Sequence, residues 1–97
     1  MDSNGYNPSI MDTEDGVCYL HKADCETVRH EIYGGNGGRK MSKANGFWVN
    51  ICPFCHRIVH KKGYEDKKLK LECEIMYLSL GHTVEDFISL VGRNYED

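Results

Sequence analysis

Two groups of side chains in this sequence have the types and spacing of metal ligands. Cys52-Pro53-Phe54-Cys55 is a CxxC pair, and a zinc ion held by two thiolates needs two further soft or borderline donors to complete its tetrahedron. Cys18, His21 and Cys25 are the upstream donors. The Cys18 and His21 spacing matches a second knuckle, whereas thiolate softness favours Cys18 with Cys25. The preferred zinc set is Cys18, Cys25, Cys52 and Cys55, with His21 as the alternative ligand. A redox CxxC opens a helix in a thioredoxin-like βαβ unit, for which this chain is too short. Cys73 falls on an apolar helical stripe and reads as a core residue.

The second group is His30, Glu31, His56 and His60. Side chains four apart share one helical face, so His56 and His60 converge if the segment is helical. Three imidazoles with open positions suit a divalent ion that neutralises a phosphate and its leaving oxygen, and Glu31 beside it can take a proton from water. Taken singly, each histidine could be an ordinary surface or core residue. That plain reading is the one taken for His82, which has no partner in the pattern.

The elements that must position these groups follow from local patterning. FWVNI (47–51) alternates and is rich in β-formers, so it is the best strand, and TVRHEI can pair with it. Between them YGGNGGRK packs four glycines into five residues, which predicts a flexible loop that carries Arg39, Lys40 and Lys43 to a phosphate backbone. A nucleotide-binding P-loop is excluded because no Lys-Ser/Thr pair follows a fitting glycine. ICPFCHRIVHKK reads as a tight Cys turn running into a helix. Beyond Gly63, Leu69, Cys73, Met76 and Leu80 repeat at helical spacing, with Leu71, Ile75 and Leu78 widening the stripe, until Gly81. Thr83 and Asp86 resemble a capping box ahead of a last helix carrying Val84, Phe87, Ile88 and Val91. The opening MDSNGYNPS is polar and aperiodic, so residues 1–9 are expected to be a flexible lead without a part in the chemistry.

Composition bounds the function. A chain of 97 residues with 40% hydrophobic and 28% charged side chains is a single folded domain too small to rely on its core alone. No run approaches the roughly 18 apolar residues of a membrane span, and no signal-peptide pattern opens the chain, so a cytoplasmic protein is expected. Thiols at short spacing then favour a metal over disulfides. The net charge of -3 is unevenly spread: residues 21–70 carry eleven Lys/Arg against five acids, while both ends are acidic. A basic middle is what a phosphate-binding face requires, although a solvated charge run would look the same. Arg57 and Lys61 belong to that middle together with Arg39, Lys40 and Lys43.

RHEIYGGNGGRKMSKANGFWVNICPFCHRIVH resembles the signature of the HNH (ββα-metal) endonucleases. The wider text, from SIM through CYLH to FISLVGRNY, is similar to small phage-encoded HNH proteins grouped with a RecA-dependent nuclease. The resemblance implies an α+β fold in one domain over residues 10–97. A ββα-metal core would span about 28–62, with a Cys-rich zinc clamp and C-terminal helices over about 67–92. It implies His30, His56 and His60 as ligands of magnesium or another divalent ion, similar to the three-histidine arrangement of colicin-type DNases, with Glu31 in the base position. It also implies DNA as the substrate, a product with a 5′ phosphate, and a phage or prophage setting with recombination or phage proteins as partners. Two departures stand out. Most HNH enzymes have His where this chain has Glu31, and the family's asparagine falls on Phe47 in an ungapped match, with Asn45 or Asn50 reached by a shift. A module that keeps the fold and binds DNA or assembles without catalysis is the alternative function.

Overall fold

The computed structural model describes residues 4–35 and 37–96. Strand β1 (Val28–Glu31) pairs antiparallel with β2 (Trp48–Ile51), with His30 opposite Val49 and Glu31 opposite Trp48. This is the pairing the alternation predicts. Helix α1 (Gly38–Asn45) lies between the strands, followed by α2 (Pro53–Val59), α3 (Tyr64–Ser79) and α4 (Val84–Val91). The result is a small α+β domain with a two-stranded sheet. No helix among the described residues is long and apolar enough to cross a membrane.

Helix α1 corrects the flexible-loop expectation for Arg39, Lys40 and Lys43. The glycines bracket a helix rather than prevent one. Gly37 enters it at φ 80° and Gly46 leaves it at φ 73°, donating its N–H to Ser42 O, and positive φ is where glycine costs least. Ser42 pins the helix to the chain just beyond β1, because its buried hydroxyl donates to Tyr33 O at 2.8 Å and accepts Tyr33 N–H at 3.1 Å. Gly38 needs to be small as well, since a Cβ there would stand 2.9 Å from Tyr33 O. The three cations therefore sit on a fixed scaffold.

Of the flexible lead expected over residues 1–9, residues 1–3 lie outside the described residues, and residues 4–9 depart from the expectation. Trp48 Nε1 donates to Asn7 O at 2.8 Å, Asn7 N donates to Lys43 O at 2.9 Å, and Ser9 Oγ donates to Trp48 O at 2.5 Å. Asn7 Nδ2 bonds Ala44 O, and Gly46 packs so close to Pro8 O that a Cβ would collide with it. The segment is a strap laid across the start of β2 and the end of α1. Its hydrogen bonds use backbone groups that the two-stranded sheet and the helix end leave open, a pattern that composition does not reveal.

The core lies between the hairpin and the last two helices. Phe47, Tyr33, Tyr77 and Phe87 meet largely edge to face, with Phe47 5.4 Å from Tyr77 and 5.5 Å from Tyr33, an arrangement that favours positive ring edges against negative faces. Phe47 has no exposed surface, so the ungapped asparagine position is a core position here. Of the alternatives, Asn45 Nδ2 bonds Met41 O at 2.9 Å within its own helix, and Asn50 is buried in β2. Helix α3 begins at Tyr64 rather than near residue 67, with Glu65 and Asp66 in its first turn, where acids complement the helix dipole. Its inward face is Leu69, Cys73 and Tyr77, with Met76 at the margin, while Ile75 and Leu80 from the expected stripe are 50% and 57% exposed. Cys73 is a buried core residue as expected. The Thr83 and Asp86 capping box forms at the start of α4, and Gly92 ends that helix. His82 stacks on Tyr77 at 4.0 Å between centroids, a packing role.

Candidate metal centres

Both ligand groups are organised by α2. Cys52 is its N-cap, accepting Cys55 N–H on Sγ at 3.4 Å, and Pro53 fills the first turn, where a missing N–H costs nothing. The thiols of the CxxC pair therefore sit at the start of the helix, and His56 and His60 follow on one face.

At the first centre, one donor atom from each of Cys18, His21, Cys52 and Cys55 lies within 4.8 Å of the others. His21 Nε2 is 3.3 Å from Cys55 Sγ, and its Nδ1 is 3.8 Å from Cys52 Sγ. This corrects the preference for Cys25: the fourth member is His21, the alternative ligand, and Cys25 stands outside the mutual set. The reason is local. Lys22 adopts φ 58° and donates its N–H to Cys18 O at 2.7 Å, so the chain turns tightly after Cys18 and carries His21 back toward the CxxC. Spacing governs ligand choice here more than softness does.

Electrostatics fit a dication at this cluster. Burial raises the Cys18 thiol, but backbone bonds from Cys52, His21 and Leu20 more than offset it and leave its pKa lowered, since hydrogen bonds to a thiolate favour the charged form. Cys55 is pushed up to about 12 by burial and by the Cys52 and Cys18 sulfurs beside it. One thiolate is stabilised and a crowded second is penalised, a conflict that a divalent cation removes. The Cys3His set could hold a metal ion such as zinc, which takes thiolate sulfur and imidazole nitrogen as ligands.

At the second centre, ring nitrogens of His30, His56 and His60 lie within 4.8 Å of one another, with His56 Nε2 3.0 Å from His60 Nε2. His30 comes from the middle of β1 and is 5% exposed. Its Nε2 is buried and has no hydrogen-bond partner among the described residues, a state that costs free energy unless something fills it. Burial, then the neighbouring His56 and His60, lower the His30 pKa to about 4. The imidazole is neutral at physiological pH with a lone pair to give, as a metal ligand must be. The three residues fit a divalent ion.

A cavity of about 470 Å³ opens on this cluster, and Tyr6, Arg29, Glu31, Arg39 and Lys62 share its walls with the histidines. Glu31 is held on both oxygens: Tyr6 hydroxyl donates to Oε2 at 2.6 Å and Arg39 Nε donates to Oε1 at 2.9 Å. Burial raises its pKa, but these two donors and the charges of Arg39 and Lys43 outweigh burial and leave it lowered. Glu31 is thus ionised at neutral pH and engaged at the same time. Tyr6, Arg29 and Lys62 were missing from the sequence reading. Tyr6 sits in the segment taken for a lead, Lys62 reaches the cavity from an exposed turn at φ 60°, and only Arg29, next to His30, carried a positional hint.

The remaining predicted cations divide. Arg39, Lys40 and Lys43 line a second cleft of about 520 Å³ with Asn4 and Gly5, and Arg39 is common to both cavities. Arg57 and Lys61 are exposed but do not line the histidine cavity. Replacing Tyr6 by Phe keeps the ring on Trp48 (centroids 5.5 Å apart) and deletes the bond to Glu31. The expected loss of stability is about 1.5 to 3 kcal/mol, the range for hydrogen bonds to charged groups. Urea unfolding of Tyr6→Phe measures it, and an unchanged midpoint would mean that the strap is not fastened through Glu31. Set against known proteins, the chain matches no family model, no curated protein and no solved structure.

Proposed function

We propose that this protein is a metal-dependent endonuclease of the HNH type, hydrolysing phosphodiester bonds in DNA. The observation that carries the reading is the convergence of His30, His56 and His60, with His30 Nε2 buried and without a partner among the described residues, on a cavity also walled by Arg29, Arg39 and Lys62. His30, His56 and His60 would hold the divalent ion, magnesium or a similar one. When bound, such an ion supplies positive charge to the scissile phosphate and the leaving oxygen. The chain's own part is to fix three imidazoles, His30 by burial in β1 and His56 and His60 by their four-residue spacing on α2 and its C-cap, and to surround the phosphate with cations. Glu31, ionised and on the cavity wall, takes the proton of the attacking water. The Cys18, His21, Cys52 and Cys55 clamp ties the knuckle around residue 20 to the helix that presents two of the ligands, so zinc acts through structure rather than chemistry.

The second reading, a zinc-stabilised DNA-binding or assembly module without catalysis, is favoured by one specific observation. Both Glu31 oxygens already accept strong hydrogen bonds, which makes the carboxylate a weaker base. Cleavage of supercoiled plasmid by the purified protein in magnesium, manganese and a chelator separates the two readings.

Both readings share a prediction about binding. The cleft at Arg39, Lys40 and Lys43 adjoins the histidine cavity, so a DNA backbone crossing the site would meet these cations in turn. DNA affinity should fall steeply with salt, and Lys40→Ala or Lys43→Ala should weaken binding to all sequences alike while lowering the salt slope by about one unit each. Affinity that is indifferent to salt, measured by anisotropy across a salt series, would remove DNA from the account.

A further inference from the structure

Phe54, between the two cysteines of the CxxC turn, is 55% exposed. Its backbone is nevertheless held in place. Pro53 and the Cys52 cap fix the backbone on one side, buried Cys55 fixes it on the other, and His21 of the zinc cluster stacks nearly parallel to the ring at 22°. The His21 ring centre is 6.3 Å away and the Arg57 guanidinium carbon 5.9 Å, both beyond close van der Waals contact. The ring stands on a fixed backbone without being covered.

Positions 54, 57 and 61 recur at i, i+3 and i+7, on a face of α2 and its following turn that lies roughly 110° around from His56 and His60. Phe54, Arg57 and Lys61 are all exposed there. One ring beside two cations is too small an apolar surface for a protein interface, which buries roughly 800 Å² per partner. It suits a partner that offers single flat apolar rings at intervals along a negatively charged chain, which is a nucleic acid strand. In a duplex those ring faces are already stacked, so the occupant that fits is an unpaired base.

We propose that Phe54 is a stacking platform for an unpaired base, with Arg57 and Lys61 on phosphates to one side of it, so that the protein grips single-stranded or locally opened DNA beside the three-histidine cavity. This rests on the reading of that cavity as a nuclease site, and it adds a preference in DNA structure to it. Arg57 and Lys61, which the histidine cavity leaves unused, acquire a role.

The test uses the full-length zinc-loaded protein and its Phe54→Ala, Phe54→Leu and Phe54→Trp variants. Binding is measured by anisotropy, without added magnesium, to a short single strand carrying a fluorescent purine analogue and to the blunt duplex of the same sequence. The parent should prefer the single strand and quench the purine analogue. Phe54→Ala and Phe54→Leu should weaken single-strand binding about tenfold and abolish the quenching, with duplex binding nearly unchanged and Phe54→Trp close to the parent. Salt-dependent DNA binding that is the same in parent and Phe54→Ala overturns the platform and leaves the nuclease reading standing. A parent that binds no DNA overturns both. A change in sedimentation mass in Phe54→Ala, with DNA binding unaltered, would make the ring a self-association contact and overturn the proposal.

Discussion

Cys52→Ser and Cys55→Ser are each expected to release the zinc and to lower the melting temperature by more than about 10 °C, or to leave the chain unfolded. A structural zinc contributes on the order of 10 kcal/mol in small domains, comparable with the whole stability of a domain this size, and each kcal/mol shifts the midpoint of such a domain by about 4–8 °C. Losing one thiolate therefore does not need to abolish binding to have a large effect. The clamp also holds both ends of the argument about ligand identity. His21→Ala should destabilise the protein in the same direction, whereas Cys25→Ser should keep the zinc and melt close to the parent, because Cys25 lies outside the mutually close set. Metal analysis of the four variants with thermal melts decides the matter. Zinc lost from Cys25→Ser and kept by His21→Ala would restore the all-thiolate set.

Much of this arrangement could be read from residue order, and what could not has a physical cause in each case. The strand pairing, the helix bearing His56 and His60, and the Thr83 capping box were legible because periodicity and capping are local properties. The helix at Gly38–Asn45 was not, because glycines at φ 80° and 73° that start and stop a helix have the same composition as a loop. Ile75 and Leu80 were placed on the buried face of α3 by spacing, yet Tyr77 and the buried Glu74 occupy that side; polar residues on an inward face are invisible to a hydrophobic count. The strap was missed for a different reason. Tyr6 reaches Glu31 across 25 residues of sequence, and no local signal reports a contact of that range. The result is that the candidate metal ligands were legible, apart from the choice between Cys25 and His21, while the surroundings that tune Glu31 were not.

Those surroundings shape the second large effect. Glu31→Gln should lower cleavage about 100-fold or more, the scale of general-base contributions, and saturating metal should not restore it. Glu31→His, which recreates the pairing usual in HNH enzymes, should retain part of the activity with a pH profile moved toward that of an imidazole. His30→Ala, His56→Ala and His60→Ala should lose activity by a comparable factor for another reason, through weaker metal binding, and excess metal should partly rescue the two helix variants. His30→Ala should be the hardest to rescue, because it removes the buried ligand and leaves a void beside β1. Tyr6→Phe supplies the complementary observation. It frees Glu31 Oε2 from a donor, so a carboxylate acting as base should tolerate the change or gain from it, while a carboxylate that only braces the site should lose activity. Single-turnover cleavage against metal concentration gives all these values, and full activity of Glu31→Gln at saturating metal would contradict the base role.

Whether the three histidines form the metal site of a nuclease is tested most directly by plasmid cleavage. Supercoiled DNA incubated with the parent protein should be nicked or linearised in magnesium or manganese and left intact in chelator, and His56→Ala, folded and zinc-loaded, should leave it intact at the same metal concentration. Intact plasmid with the folded, zinc-loaded parent across magnesium, manganese and other divalent ions, or cleavage that persists undiminished in His56→Ala, would contradict that assignment.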